Sequence, residues 1–257
     1  MPNIIAISNE KGGVAKTTTS VSLAGALIEM GKEILLIDLD PQANLTLALG
    51  ISPEKVRKSI ADTLLNSASP LSVSRETTIP GLDIIPANSE MGLAERFLPI
   101  RQHYKFILRE ALTNVISYDT IILDCPPSLG VVTQNALVAA NLMIIPTQAE
   151  YFSTYALKNV MGIIRSIRES DNPSLSFRIL ITMKDIRIRS HKSLSKQLRS
   201  TFGKAVFETA IQIDTKFRET SIAGLPITHY FPLSRGAQQY RSLAQELEEY
   251  VTTEKIT

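Results

Sequence analysis

A chain of 257 residues with 44% hydrophobic and 20% charged side chains can bury a full apolar core, and that balance excludes a collagen-like repeat, a coiled coil or a disordered tail. The single cysteine, Cys125, excludes a disulfide framework, and His103, His191 and His229 have neither cysteine partners nor zinc-like spacing. With Lys+Arg 27 against Asp+Glu 25 the formal net charge is only +2, so affinity for a polyanion must come from where the cations cluster.

The chain opens MPNIIAISNEKGG, without a basic segment leading into a long apolar one, and polar residues interrupt every apolar run before membrane-spanning length. A cytoplasmic protein is expected, with no membrane span and no helix-turn-helix extension ahead of Met1. Short runs rich in Ile, Val and Leu at 4–7, 34–37, 82–85, 120–123, 142–145 and 177–181 read as buried parallel strands. Between them, helices are predicted over about 16–30, 57–65, 102–114, 131–140, 153–169, 191–202 and 234–250. That alternation predicts an α/β fold, a doubly wound, mostly parallel twisted sheet flanked by helices, in one domain over 1–257. The least regular stretch, 45–100, collects Ser, Pro and Asn and reads as an excursion within that domain.

Directly after the first strand comes Lys11-Gly12-Gly13-Val14-Ala15-Lys16-Thr17-Thr18, and a helical pattern follows with Leu23, Ala24, Leu27 and Ile28 on one face. Backbone N–H groups of such a turn and the helix N-terminus cradle an anion; a lysine at its mouth serves outer phosphates, and a threonine hydroxyl ligates magnesium. The pattern G-x-x-x-x-G-K-[ST] does not fit, because its glycines fall on Glu10 and Ala15. The variant K-G-G-x-x-K-[ST] does fit, with Lys11 as a second lysine ahead of the glycines. The window alone is equally compatible with a glycine turn capping a helix.

Carboxylates at the ends of two later strands decide between these readings. The second strand ends Ile37-Asp38-Leu39-Asp40-Pro41-Gln42, and a later one ends Leu123-Asp124-Cys125-Pro126-Pro127. The carboxyl edge of an open α/β sheet is where ligands bind and where a magnesium shell and an attacking water need acceptors. A lone Asp after a strand is more often a cap or turn residue; Asp38, Asp40 and Asp124 together behind a phosphate loop are not explained that way.

On these residues, with Pro146-Thr147-Gln148-Ala149-Glu150-Tyr151 and Tyr240-Arg241-Ser242-Leu243-Ala244-Gln245-Glu246, the chain resembles the ParA/Soj/MinD family of deviant Walker A ATPases, most of all its chromosomal Soj-type members. The resemblance implies a homodimer in the ATP state with ATP and Mg2+ held between subunits, and Lys11 reaching the partner's nucleotide like an arginine finger, a contribution of roughly a thousandfold or more in rate. It also implies that the loop 12–15, Gly12, Gly13, Val14 and Ala15, wraps the phosphates. Lys16 then contacts the β and γ phosphates, Thr17 binds magnesium, Thr18 meets the α phosphate, Asp40 orients water, and Asp38 and Asp124 support the metal shell.

For the base, the resemblance points to Met183 and Asp214. Where relatives often carry Pro-Arg-Asn this chain has Gln212-Ile213-Asp214, which lacks the stacking proline and puts a carboxylate in place of an amide. Ala15 replaces the usual glycine, at little cost provided its φ is negative.

From 184 to 204 the cations Lys184, Arg187, Arg189, Lys192, Lys196, Arg199 and Lys204 face only Asp185. Lys192, Lys196 and Arg199 fall at i, i+4, i+7, opposite Leu194, Leu198 and Phe202, so a basic stripe is expected to face solvent. By itself that is an ordinary solvated helix face. The resemblance makes it, with Lys216 and Arg218, a surface for nonspecific double-stranded DNA, and implies a nucleoid-associated ATPase, slow until stimulated by a ParB-like or cargo-adaptor protein. The alternative, a MinD-like membrane switch, needs a basic amphipathic carboxyl-terminal helix, whereas 246–250 reads Glu-Leu-Glu-Glu-Tyr. An iron–sulfur carrier would need more cysteines than Cys125.

Overall fold

The apolar runs become strands because both of their faces are covered. In the computed structural model, which describes residues 1–254, they form β1 (Asn3–Ile7), β2 (Ile34–Asp38), β3 (Arg75–Glu76), β4 (Leu82–Ile85), β5 (Thr120–Asp124), β6 (Leu142–Gln148), β7 (Ser176–Lys184) and β8 (Val206–Gln212). The sheet order is β3-β4-β2-β5-β1-β6-β7-β8, parallel throughout except for β3 against β4.

Alternate residues of each run enter opposite layers, as the period of a strand requires. Ala6, Leu35, Ile37, Ile121 and Leu123 point into one core; Ile5, Ile7, Ile34, Leu36 and Ile122 point into the other. The helices are α1 (Lys16–Glu29), α2 (Asn44–Ala48), α3 (Ile60–Asn66), α4 (Pro70–Val73), α5 (Met91–Phe97) and α6 (Ile107–Leu112), then α7 (Val131–Ala139), α8 (Tyr151–Ser170), α9 (Arg189–Phe202), α10 (Lys216–Ala223), α11 (Ile227–Tyr230) and α12 (Arg235–Glu254). The first core is closed by residues of α3, α5, α6, α7, α8 and α9, the second by residues of α1, α11 and α12.

Helix α1 is buried nearly all round, from Thr19 to Leu27, because it sits between the sheet and α12, α11 and α2. That position requires small residues. A Cβ on Gly25 would fall 2.5 Å from Pro226 Cβ and 2.6 Å from Thr228 Oγ1, so the close approach of α1 to α11 depends on this glycine.

Strand β1 lies where the order changes direction: the chain leaves it for β2 on one side and later crosses it between β5 and β6. The loops following β1, β2 and β5 therefore meet at one carboxyl edge, the expected place for a ligand in an open α/β sheet. No described helix is long and apolar enough to cross a membrane.

Candidate active site

Beyond Ile7 the chain turns through 8–15 before entering α1, and the turn is tied to β6 and β7. Ser8 N–H donates to the Ile144 carbonyl (3.1 Å), Asn9 Nδ2 to the Pro146 carbonyl (2.8 Å), and Thr182 Oγ1 to the Val14 carbonyl (3.0 Å). Gly13 has φ 71, and a Cβ on Gly12 or Gly13 would meet nothing within 4 Å, so the space over the loop is open to an approaching anion. The first turn of α1 has no side-chain cap, which leaves its N–H donors directed at that space. Ala15 corrects an expectation: its φ is 67 and ψ 37, left-handed backbone that costs an L-residue roughly 1 kcal/mol.

Lys16 is 8% exposed, and burial pushes its pKa down. Its ammonium donates to the carbonyls of Asn9 (3.2 Å) and Lys11 (3.1 Å), while the charges of Asp124 and Asp40 offset part of the burial. Next to it, Thr17 Oγ1 donates to Asp124 Oδ2 (2.7 Å) and Ser20 Oγ to Asp124 Oδ1 (2.9 Å). Asp124 lies in register with Asp38 on β2. Burial pushes Asp124 up to about 7, with Asp38 adding to it, and burial pushes Asp38 up to about 6.

Asp38 is also fully engaged with its own loop. Its Oδ2 accepts from Thr46 N–H (2.8 Å) and Thr46 Oγ1 (2.7 Å), and its Oδ1 accepts from Asp40 N–H (3.1 Å). It thereby places Asp40, which lines a cavity of about 420 Å³ together with Gly12, Lys16, Thr17, Asn44 and Pro127. Among the described residues no cluster of three or more His, Cys, Asp or Glu could hold a metal on protein ligands alone. A site with one hydroxyl and carboxylates behind it fits Mg2+, which retains waters and shares substrate phosphates. Carboxylates whose ionisation is opposed by burial and by each other are the groups a dication relieves.

Lys11 completes the rim. Its Nζ donates to Gln148 Oε1 (2.7 Å) and forms an ion pair with Glu150 Oε2 (2.7 Å). Gln148 Nε2 in turn reaches the Gly13 carbonyl (3.2 Å) and Met183 Sδ (3.0 Å), joining the loop to β7. A second cavity of about 320 Å³ lies beside the first, with Ala15, Thr18, Met183, Asp214, Phe217 and Tyr240 among its walls. Asp214 uses both oxygens on backbone donors there, Lys216 N–H (3.1 Å) and Gly236 N–H (3.3 Å). Sequence reading missed Gln148, Glu150, Ser20 and Thr46 as site residues; the first two stood in a noticed motif, whereas Ser20 and Thr46 carry no local signal.

The basic residues begin at the rim of the second cavity, whose walls include Met183 and Arg218. Arg187, Arg189, Lys192, Lys196, Lys216 and Arg218 are exposed. Leu198 is buried, and Leu194 and Phe202 pack on the core, as the stripe required. Arg199 departs from the expected free stripe: it is half-buried and bonded to Glu208, Nη1 to the carboxylate (3.2 Å) and Nη2 to the carbonyl (2.8 Å). Glu208 belongs to β8, which had no counterpart among the predicted strands.

A family model described as an AAA domain matches residues 2–177. The chain is 39% identical over 249 residues to the sporulation initiation inhibitor protein Soj of Bacillus subtilis, covering 96% of this chain and 98% of that one. The chain belongs to the ParA/Soj family of deviant Walker A ATPases. The chromosome partitioning protein ParA of Caulobacter vibrioides is 36% identical, with 95% and 93% of the two chains covered. Among solved structures, cobyrinic acid a,c-diamide synthase from Mycobacterium smegmatis with bound ATP analog and magnesium superposes with a TM-score of 0.83 at 33% identity, over 98% of this chain and 96% of that one.

Proposed function

We propose that the chain is an ATP-switched partition ATPase: it binds ATP with Mg2+, closes into a homodimer, coats nucleoid DNA without sequence preference, and releases it when a ParB-like or cargo-adaptor protein stimulates hydrolysis. The observation that carries this is the buried Lys16 ammonium, hydrogen-bonded to the carbonyls of Asn9 and Lys11 beneath a loop whose backbone is open to an approaching anion. A polyphosphate is the ligand that satisfies both features.

In this reading the loop 12–15 and Lys16 bind and orient the phosphates, and Asp40, placed by Asp38, accepts a hydrogen bond from water at the cavity wall. Thr17, supported by Asp124 and Asp38, holds Mg2+, whose chemistry is to neutralise charge on the phosphate oxygens. Lys11 supplies charge across the subunit boundary, and Met183 and Asp214 border the space left for the base. The exposed cations 187–218 offer phosphate contacts. The cargo class, whether a chromosome origin, a plasmid or a protein organelle such as a carboxysome, follows from the adaptor.

The test is binding to nonspecific duplex DNA with ATP, with ADP and without nucleotide, at two salt concentrations. Tight, salt-sensitive binding with ATP alone is the expected result; no binding in any state removes the nucleoid mechanism.

A further inference from the structure

The turn between β7 and α9 alternates cations with two isoleucines: Lys184, Asp185, Ile186, Arg187, Ile188, Arg189. Ile186 is 50% exposed and Ile188 41% exposed. Neither is loose. Arg187 N–H donates to Asp185 Oδ1 (2.9 Å), Ile188 N–H to the Asp185 carbonyl (3.2 Å), and Asp185 N–H to His191 Nδ1 (3.1 Å), so the turn is braced at both ends. The Arg187 guanidinium folds onto the Asp185 carboxylate (2.7 and 3.0 Å), which cancels the one acid in the segment and leaves the surrounding cations unopposed. Turn positions ordinarily take Gly, Pro, Asn, Asp or Ser for reasons of backbone geometry and local hydrogen bonding. A braced turn that instead presents β-branched aliphatic groups to solvent, inside a ring of positive charge, gains nothing for folding.

We infer that Ile186 and Ile188 act as wedges entering a base step of duplex DNA, while Arg189 and Lys192 hold the flanking phosphates. This rests on the DNA-binding reading above and adds to it a deformation of the duplex. Short aliphatic side chains inserted between base pairs, with adjacent Arg and Lys on the backbone, unstack and bend DNA without reading its sequence. The charge of the segment selects a polyanion, and the form of its apolar part selects a base stack over a bilayer. A membrane-bound helix needs a broad apolar face, but the apolar face of α9 (Leu194, Leu198, Phe202) is already packed on the core. Two isoleucine side chains also bury fewer carbons than a single myristoyl chain, which by itself anchors only marginally.

The experiment uses the full chain in its ATP state with duplexes carrying 2-aminopurine, and compares the wild type with the Ile186→Ser, Ile188→Ser double variant and with Arg187→Ala. The wild type should bind with a rise in 2-aminopurine fluorescence. The double variant, altered only at exposed side chains, should melt like the wild type, keep the same salt slope, lose the fluorescence rise and bind about tenfold more weakly. Arg187→Ala, which uncovers the Asp185 carboxylate beside the duplex, should weaken binding while keeping the rise at saturation. If the wild type binds but the double variant matches it in affinity and fluorescence, the wedge is wrong and the DNA reading stands. If the wild type binds no duplex in any nucleotide state, both fall; isoleucine-dependent binding to anionic vesicles would then reassign the turn to a lipid surface.

Discussion

Lys11 meets Glu150 at 2.7 Å, within its own chain and across 139 residues of sequence. In the proposed dimer the same ammonium serves the neighbouring subunit's nucleotide, so closure requires this pair to part. The two side chains are 31% and 45% exposed. An ion pair this open to solvent contributes about 1 kcal/mol or less, a hold that a polyphosphate can displace. Glu150→Gln should therefore strengthen ATP-dependent dimerisation, by about fivefold at most, whereas Lys11→Ala should abolish it. Sedimentation of the wild type and both variants with ATP checks this; weaker dimerisation of Glu150→Gln would mean that Glu150 has its own task in the closed dimer.

Asp38 and Asp124 predict how stability follows pH when neither nucleotide nor Mg2+ is present. Both carboxyls start from 3.8 and are raised by burial, to about 6 and about 7. Between those limits the folded chain binds more protons than the unfolded one, so stability is present at the acid side of the window and is lost as pH rises through the folded values. The slope is at most about 1.4 kcal/mol per pH unit for each group. The melting temperature should fall from about pH 4 to about pH 7 and level off above that, and Mg2+ with ATP should raise it more at the alkaline end, where the carboxylates are ionised. A flat profile for the ligand-free chain, unchanged by Asp38→Asn, would contradict this.

What could be read from sequence follows from how local each signal is. Strands β1, β2, β5 and β6 stand out as continuous apolar runs because both faces are buried, and Lys11 to Thr18 with Asp38, Asp40 and Asp124 are compact patterns at strand ends. Strand β8 did not stand out: Glu208 is exposed within it, and its pairing with β7 shifts register twice. Helices α2 and α4, of five and four residues, are too short to show a helical period. The hold of Thr46 on Asp38, the bridge from Gln148 to Met183 and the pairing of Arg199 with Glu208 join residues whose partners leave no trace nearby. The sign of φ at Ala15 is illegible for the same reason, since alanine is compatible with either.

Ala15 now carries a prediction of its own. It adopts left-handed backbone at the start of α1 and contributes to the walls of both cavities. Ala15→Gly relieves strain of roughly 1 kcal/mol but frees the unfolded chain by a similar amount, about 0.4–1 kcal/mol. Thermal melting should therefore shift little. Ala15→Val places a β-branched side chain where φ is positive, and should destabilise by more than about 1 kcal/mol. Equal melting temperatures for the glycine and valine variants would show that the loop relaxes out of this conformation.

The salt dependence of DNA binding separates cations that are free from those already used. Each phosphate contact releases counterions and contributes about −0.9 to the slope of log K against log salt. Lys192 and Lys196 stand exposed on α9, so Lys192→Ala and Lys196→Ala should each make the slope shallower by about one. Arg199 lies on the same helix, but its guanidinium is spent on the carboxylate and carbonyl of Glu208. Arg199→Ala should change the slope by less than about half as much, because a cation paired within the fold displaces few counterions. Titrations at several salt concentrations, in the ATP state, decide it. A full unit lost at Arg199 would mean that the pair with Glu208 opens on DNA, and that the whole stripe 192–199 acts as the single basic face its spacing implied.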